Sequence, residues 1–231
     1  QAAAFIHEIS NGRFRFGIGV AHAPSHRRFG VTVGKPLSDI RSFVETANNA
    51  ERIGELPPIV LAALRKRMIS LAGEIADGLV FANGSRSHMS ESLGVLPTEK
   101  REDPHFFIGD MIPTCVYEDQ KIAKEVNRRT LVPYTLLENY RNYWKEAGYE
   151  EEMVAVENVM SKGEDMAQIG ACLSDKWLLD NTLFGTPSMV LQGLEAWYDC
   201  GIKTPILVPS SAQGNQLKAI GEIFKVCERL N

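Results

Sequence analysis

Three basic residues, Arg65, Lys66 and Arg67, follow an apolar run that ends at Leu64. The residues after them, Met68–Ala76, show a helical pattern, so the basic residues fall in the first turn of a predicted helix. That turn carries unpaired N–H groups and the positive end of the helix dipole, which bind phosphate and disfavour basic side chains. The run therefore predicts an anion site at this strand–helix junction. Simple solvent exposure of the three side chains is the alternative interpretation.

Gly17 and Gly19 alternate at the end of the first apolar run, just before Val20. Glycines at this spacing let a second backbone or a ligand approach the strand closely. A tight strand end without a ligand explains them equally well. They do not form a dinucleotide-binding fingerprint, because the third glycine of that motif is missing and His22 and Ala23 stand near its place.

His22 and His26 lie in the segment Ala21–Arg28, which we predict to be a loop. In proteins with parallel sheets the functional residues lie at the carboxyl ends of the strands, and this loop follows such an end. Arg27 and Arg28 could pair with an anion there. We favour His22 as a proton donor or electrophilic contact, since it is nearest the strand and imidazole takes either charge state near neutral pH. A solvated surface loop is the alternative.

A third segment, Ala82–His88, follows another apolar run and supplies small, amide, hydroxyl and basic residues. Ser85 or Ser87 could instead be a helix N-cap. The motifs of several other chemistries do not occur in the sequence, which has no Walker loop, no GxSxG elbow and no HExxH pair. Its acidic residues, Asp110 among them, show no spacing that demands a metal.

Short apolar runs alternate with helical patterns along the chain, which is typical of parallel strands joined by crossover helices. The runs are mostly apolar throughout, as expected for strands buried on both faces. We predict five strands, within residues 13–20, 57–64, 78–83, 106–116 and 204–209. Helices are predicted over residues 37–52, 66–76, 187–200 and 213–230, with two or three more within 118–162 and the tail of one at 1–10. An open doubly wound sheet and part of a barrel both fit this pattern.

Composition and charge describe an ordinary globular chain of 231 residues, which we predict to be a single domain over residues 1–231. Its formal net charge of -4 gives no basic bias toward nucleic acid or anionic membranes, and no apolar stretch is long enough to cross a bilayer. Four cysteines at unpaired spacing indicate neither a zinc site nor a dense disulfide framework. We therefore expect a cytoplasmic setting and no metal.

Three segments, in matching order and spacing, resemble motifs of the luciferase-like monooxygenases. Residues 10–19, SNGRFRFGIG, are similar to an S-G-G-R-F-x-L-G-x-G motif of that family. Residues 68–78, MISLAGEIADG, resemble its "LAgeiADG" helix and turn, and residues 184–190, FGTPSMV, resemble its closing "GTPeeV" segment. Within the family the chain looks most like members that depend on the deazaflavin coenzyme F420.

The resemblance implies an α/β fold of the TIM-barrel type, a (β/α)8 barrel in which the five predicted strands are strands 4–8. The helix at residues 1–10 would follow strand three, so we expect the family's first three strands to be missing from this chain. Such an open sheet edge promotes association. We expect residues outside this sequence, or a partner chain, to cover the gap, and barrels of this family usually pair as homodimers.

The resemblance also assigns residues to the coenzyme. The ring pocket would be lined by Gly17, Gly19 and Val20, the phosphate held through N–H groups and charge by Ala63, Leu64 and Arg65, and the rim completed by Ala82 and Asn83. Many family members carry a glycine in the phosphate turn, where this chain has Leu64 and Arg65 instead.

The implied function is an oxidoreductase that transfers a hydride between F420, or FMN, and a small organic substrate. In such an enzyme the coenzyme carries the redox chemistry and the protein positions it. His22 is our predicted catalytic residue. An FMN-dependent monooxygenase is one alternative, and a non-catalytic flavin-binding or structural remnant of a barrel is another.

Overall fold

Helices and strands alternate along residues 1–163 and 165–228, which are the residues that the computed structural model describes. The strands are β1 (Phe16–Ile18), β2 (Ile59–Ala62), β3 (Gly78–Ala82), β4 (Phe107–Val116), β5 (Leu183–Gly185) and β6 (Thr204–Ser210). The helices are α1 (Ala2–Ile9), α2 (Ala23–Phe29), α3 (Pro36–Asn48), α4 (Lys66–Ile75), α5 (Met89–Leu93), α6 (Thr98–Glu102), α7 (Gln120–Thr135), α8 (Glu138–Glu146), α9 (Glu150–Ser161), α10 (Met166–Ala171), α11 (Asp175–Asn181), α12 (Pro187–Asp199) and α13 (Gln216–Cys227). One turn of 3-10 helix lies at Arg86–His88.

The chain divides into two compact units. The first contains residues 1–82 and 91–109, and the second contains residues 83–90 and the chain from residue 110 onward. Strand β4 has residues in both units. The single domain expected over residues 1–231 therefore stays a prediction.

In the first unit, β1, β2 and β3 form a parallel sheet. Gly17 is paired with Val60 and Ala62 with Val80, so the carboxyl ends of the three strands lie at one edge. Helix α4 turns an apolar face inward, where Ile69, Leu71 and Ala72 are buried. The apolar runs and the helical stripe that predicted these elements are thus the residues that form the core.

In the second unit, β5 pairs in parallel with the end of β4, and β6 also pairs with β4. Asn127 of α7 fastens β4 to β5, since its Nδ2 donates to the carbonyls of Pro113 at 3.3 Å and Leu183 at 2.9 Å. Trp144 of α8 and Trp177 of α11 are fully buried and pack edge to face, with ring centroids 4.8 Å apart. Such aromatic pairs add stability beyond the apolar area that they bury.

Each of the five predicted ranges corresponds to an observed strand, namely β1, β2, β3, β4 or β6, and β6 extends one residue beyond its range, to Ser210. The count of five is wrong, because β5 is a sixth strand. Its three residues are too few to show a run, and the adjacent Thr186 and Pro187 mark the start of a helix instead.

The loop predicted at Ala21–Arg28 is also wrong, because residues 23–29 form helix α2. Pro24 stands in the first turn, where its missing N–H removes no helical hydrogen bond. Gly30 ends the helix in the left-handed conformation, with φ 63°. No residue of α2 is buried, so it lacks the apolar stripe by which a helix is recognised in a sequence.

The helix termini largely follow prediction. The Thr186 hydroxyl accepts the Met189 N–H at the start of α12, and Gly201 after its end has φ 101°. Three helices, α7 to α9, fill residues 118–162, and α1 occupies the predicted helix tail. The final helix predicted for 213–230 is observed as α13, and residues 229 and 230 lie outside the described residues.

Within the described part of the chain, none of the helices has the length and apolar character that a membrane crossing requires.

Candidate functional site

The β2–α4 junction lies at the carboxyl edge of the first unit's sheet, where the sequence predicts an anion site. Ala63 is buried and its N–H donates to the Val80 carbonyl at 2.9 Å, as an extension of strand pairing. That N–H is therefore already bonded within the protein, and the contact of Ala63 with a phosphate stays a prediction. The chain after Ala63 turns outward, and Arg65 is the N-cap residue of α4.

Two backbone donors, one just before the N-cap and one in the first turn of α4, have no acceptor among the described residues. The N–H groups of Met68 and Ile69 both donate to the Arg65 carbonyl, at 2.9 and 3.1 Å. Those of Leu64 and Arg67 donate to no acceptor among the described residues. Arg65 makes no side-chain capping bond in place of a ligand. The start of this helix therefore presents two backbone donors and a positive dipole end to an anion.

The basic side chains of this turn are exposed. Lys66 Nζ lies 2.6 Å from Glu91 Oε1, and both side chains are more than half exposed. An ion pair this exposed is worth about 1 kcal/mol or less, so Glu91 offsets the charge of Lys66 only weakly. Arg67 has no ion pair among the described residues. The junction thus keeps an excess of positive charge at the helix start.

Next to this junction, the sheet of the first unit exposes a face made of small residues. A Cβ atom added to Gly17 would meet nothing within 4 Å, and one added to Gly19 would lie 2.9 Å from the Ala62 Cβ. Ala62 is exposed although its neighbours Leu61 and Ala63 are buried. Val20, which follows, is 40% exposed. This surface of small, exposed residues has room for a planar ring, and the ring pocket at Gly17, Gly19 and Val20 stays a prediction.

His22 is the N-cap residue of α2, just beyond the β1 end. It is half-buried, and its carbonyl accepts the N–H groups of Ser25 and His26. Partial burial, followed by the charge of His26, lowers the pKa of the His22 imidazole. The neutral ring is therefore favoured near neutral pH. The neutral ring can accept a proton at one nitrogen, which makes it a cation, or donate a hydrogen bond from the other and stay uncharged.

The two predicted rim residues lie at the carboxyl end of β3. Ala82 is the last residue of that strand and is half-buried, in the first unit. Asn83 belongs to the second unit, has a left-handed φ of 58°, and donates its N–H to the Met111 carbonyl at 3.1 Å. It is buried, and its Nδ2 has no hydrogen-bond partner among the described residues. A non-glycine residue in this conformation is uncommon and tends to occur where the fold demands a particular turn.

Asp110 holds this turn, and sequence reasoning considered it only as a metal ligand. Its side chain is fully buried in β4, and Oδ1 accepts the Gly84 N–H at 3.2 Å. Burial raises the pKa of the Asp110 carboxyl to about 7, against the lowering effect of the backbone N–H groups of Gly84 and Met111. A lone acidic residue inside an apolar run was the signal that could have revealed it.

The rest of the turn is fastened to helices of the second unit. Ser85 donates its N–H to the Tyr143 hydroxyl at 2.9 Å and its own hydroxyl to Asn181 Oδ1 at 2.8 Å. The Ser87 N–H and hydroxyl donate to the two carboxylate oxygens of Asp180, at 2.9 and 2.6 Å. Ser85 is the N-cap residue of the 3-10 turn, as the alternative interpretation has it, although its side chain makes no capping bond. These bonds make the turn a rigid platform.

The model of the luciferase-like monooxygenase family matches residues 1–204. The 5,10-methylenetetrahydromethanopterin reductase of Archaeoglobus fulgidus is 24% identical, with 97% of this chain and 76% of that protein covered. The structure of the coenzyme F420 dependent tetrahydromethanopterin reductase from Methanopyrus kandleri is similar with a TM-score of 0.74 at 15% identity, covering 96% of this chain and 75% of that one. An F420-dependent secondary alcohol dehydrogenase follows with a TM-score of 0.67 at 15% identity, covering 97% and 72%.

The structural likenesses show the fold, which is α/β and corresponds to part of a TIM barrel of the luciferase-like type. This confirms the predicted fold class, with six strands in place of five. The family match extends over residues 1–204, which include all three motif segments. The chain belongs to the luciferase-like monooxygenase family.

Proposed function

We propose that this protein is an oxidoreductase that transfers a hydride between the deazaflavin coenzyme F420 and a small organic substrate. The family assignment supports redox chemistry. Two of the similar solved structures are named as F420-dependent enzymes, which supports F420 over FMN. When bound, the coenzyme supplies the hydride chemistry, and the protein contributes binding, orientation and proton handling.

One observation carries this proposal, namely the unbonded donors at the start of α4. The N–H groups of Leu64 and Arg67 have no acceptor among the described residues, and they stand in the same turn as Arg65. A phosphoryl group bound there would receive backbone hydrogen bonds, the helix dipole and a guanidinium at once. The proposed phosphate contacts are therefore Leu64, Arg65 and Arg67, with Ala63 contributing surface only.

The ring of the coenzyme would lie on the small-residue face beside this turn. Gly17 and Gly19 leave the β1 backbone open to close approach, and Val20 supplies an exposed apolar contact. Ala82 and Asn83 stay proposed rim residues, as the family resemblance assigns them. A larger side chain at Gly17 or Gly19 would project from this surface. Both positions therefore matter for the proposed fit of the ring.

We assign the proton-handling role to His22. Its lowered pKa keeps the imidazole uncharged near neutral pH. A neutral imidazole would accept the substrate's hydroxyl proton during oxidation, or donate a hydrogen bond to a carbonyl oxygen during reduction. Of the two roles predicted for His22, a neutral ring favours the electrophilic contact over a permanently charged proton donor.

A fluorescence titration of the full chain with F420 and with FMN tests the proposal. Arg65→Gln should weaken F420 binding about tenfold, which corresponds to ~1.4 kcal/mol. Arg41→Gln is the matched control, because it removes one exposed positive charge from the same unit. Arg41 pairs with Glu74 near the other end of α4, 2.6 Å away. Equal losses in both variants, or no F420 binding by the parent chain, would overturn the proposal.

A second candidate is an FMN-dependent monooxygenase, which the family description favours. An EDTA monooxygenase from Chelativorans sp. BNC1 is also similar, with a TM-score of 0.54 at 14% identity. Oxygen uptake with reduced FMN, at a rate that depends on an added organic substrate, would select this function. A chain that binds neither coenzyme would instead fit a non-catalytic barrel remnant.

A further inference from the structure

Asp110 occupies a position in which a carboxyl group is expensive to bury. It is fully buried in β4, where the surrounding strand residues Ile108, Ile112 and Cys115 are apolar and almost fully buried. A buried ionisable group without an ion pair either takes up a proton or serves a function. Asp110 neither caps a helix nor forms an exposed ion pair, unlike several other acidic side chains of the second unit.

The geometry shows what the Asp110 side chain does. Its Oδ1 accepts the Gly84 N–H, and a Cβ atom at Gly84 would come within 3.3 Å of Oδ2 and 2.9 Å of the Met89 Cε. The carboxyl group therefore packs directly against the backbone of this turn. Asn83 precedes Gly84 and has a left-handed φ of 58°, so the hydrogen bond of Asp110 holds the backbone directly next to it.

Two buried polar atoms in this small region lack partners among the described residues. One is a donor, Asn83 Nδ2, and the other is Asp110 Oδ2. Their chemistry is complementary when the carboxyl is ionised, because Oδ2 is then an acceptor. When the carboxyl is protonated, Oδ2 carries a proton and offers no such attraction to an amide N–H. An unsatisfied buried polar atom costs about 1–3 kcal/mol, so a hydrogen bond between these two atoms would be favourable.

Two titratable side chains that feel the charge of Asp110 stay uncharged at neutral pH. Burial raises the pKa of Tyr140 on α8 to about 12 and that of Cys200, after α12, to about 11. Both groups interact electrostatically with Asp110, and Arg86 lowers the pKa of Cys200. Among these groups, Asp110 alone titrates near pH 7.

We propose that Asp110 is a positioning residue for the turn at Asn83 and Gly84, and that one proton on its carboxyl decides between two hydrogen-bond states of that turn. In the protonated state Asp110 does not hold the Asn83 amide, and a ligand can engage it once this buried side chain turns outward. In the ionised state Asp110 Oδ2 accepts a hydrogen bond from Asn83 Nδ2 and withdraws that amide. The ligand-binding part of this inference rests on the proposed function, in which Asn83 belongs to the coenzyme rim.

The first test needs no coenzyme. In wild-type chain labelled with 13C at aspartate carboxyls, one carboxyl should titrate near pH 7, and the Gly84 amide resonance should shift with the same midpoint. All aspartate carboxyls titrating below pH 5, or a Gly84 amide that ignores the titration, would overturn the inference. This measurement does not depend on any variant being able to fold.

The second test compares thermal unfolding of Asp110→Asn with Asp119→Asn between pH 4 and 9. The folded state holds a proton that the unfolded chain releases, so wild-type stability should fall as pH rises, up to about pH 7. In that window the unfolding equilibrium constant should rise about tenfold per pH unit relative to Asp110→Asn. Asp119 is an exposed N-cap that asparagine can replace, so its variant should follow the wild type. Parallel curves for wild type and Asp110→Asn would refute the inference.

The third test concerns the ligand. F420 should bind wild-type chain about fivefold more weakly at pH 8.5 than at pH 5.5, the size expected for one lost hydrogen bond. Asp110→Asn should bind equally at both pH values, and Asn83→Ala should remove the difference. Binding that is pH-independent in wild type would overturn the positioning role. A wild type that binds no F420 would instead overturn the proposed function, and the two coenzyme-free tests would still decide the state of Asp110.

Discussion

The β2–α4 junction and the turn at Asn83–His88 each follow the carboxyl end of a strand, and they are built in opposite ways. At the junction, basic side chains are exposed and the N–H groups of Leu64 and Arg67 are unbonded among the described residues. In the turn, the N–H groups of Asn83, Gly84, Ser85, Ser87 and His88 all donate to protein acceptors. Unbonded donors suit ligand binding, whereas bonded donors make a rigid support. Substitutions should therefore lower affinity at the junction and stability at the turn.

The largest effect expected from this contrast is on stability at Asp180. Its buried carboxylate accepts the Ser87 N–H and hydroxyl and the Tyr149 hydroxyl, so Asp180→Ala leaves these donors without an acceptor. The free energy of unfolding, measured with urea, should fall by about 3 kcal/mol. Asp175→Ala is the control, because Asp175 is exposed and its ion pairs should contribute less than about 1 kcal/mol. Similar losses in both variants would contradict the rigid-support interpretation.

At His22 the effect should appear in turnover. His22→Ala should lower the hydride-transfer rate about 100-fold with little change in stability, since the helix that it caps buries no residue. The wild-type rate should fall as pH drops through the lowered pKa of His22, because protonation removes the neutral imidazole. That acidic limb should disappear in the variant. Unchanged turnover with an unchanged pH profile would end the assignment.

A matched pair of glycines sharpens the comparison further. Gly84→Ala should cost about 1–3 kcal/mol, because its Cβ would lie 2.9 Å from the Cε of Met89, which is fully buried and has little room to move, and 3.3 Å from the Asp110 Oδ2. Gly17→Ala meets no atom within 4 Å, so its stability should stay within about 0.5 kcal/mol of the parent chain. F420 affinity should nevertheless fall about tenfold in Gly17→Ala, because the methyl group projects from the proposed ring surface. Urea unfolding and fluorescence titration of both variants measure the contrast, and a reversed order would contradict it.

The smallest effect should come from Glu91, and it has the opposite sign. Glu91→Gln breaks an exposed ion pair with Lys66, so the unfolding free energy should change by less than about 0.5 kcal/mol. F420 affinity should rise about twofold at low salt, because the positive charge of Lys66 is no longer offset. The gain should vanish in high salt. Weaker binding in this variant would place the coenzyme phosphate elsewhere.

Much of the fold was predictable because buried parallel strands and amphipathic helices leave long, repetitive patterns. The runs at residues 57–64 and 78–83 each contain a strand, and α4 begins at Lys66, as the stripe predicted. β5 and α2 were not predicted. Three residues are too few to form an apolar run, and an exposed helix has no apolar stripe. In both cases the missing information is tertiary pairing or local capping rather than periodicity.

The candidate site was predictable where the start of a helix or the end of a strand by itself determines the backbone geometry. The anion-binding character of the α4 start is an example, because any helix start has unpaired donors. The bonded state of the Ala63 N–H was not predictable, since it depends on how far β2 pairs with β3. Asp110 was missed for a related reason, because only the fold reveals that its carboxyl is buried against the Gly84 backbone.

Asn181 has a practical consequence for experiments. Its side-chain oxygen accepts both the Ser85 hydroxyl and the Trp144 indole N–H, and its Nδ2 donates to the Trp177 carbonyl. The Asn181 side-chain amide therefore links two tryptophans to the turn after β3. Movement of that turn would change the surroundings of the Trp144 indole, which makes emission from this residue a natural optical reporter of the turn, without any attached dye.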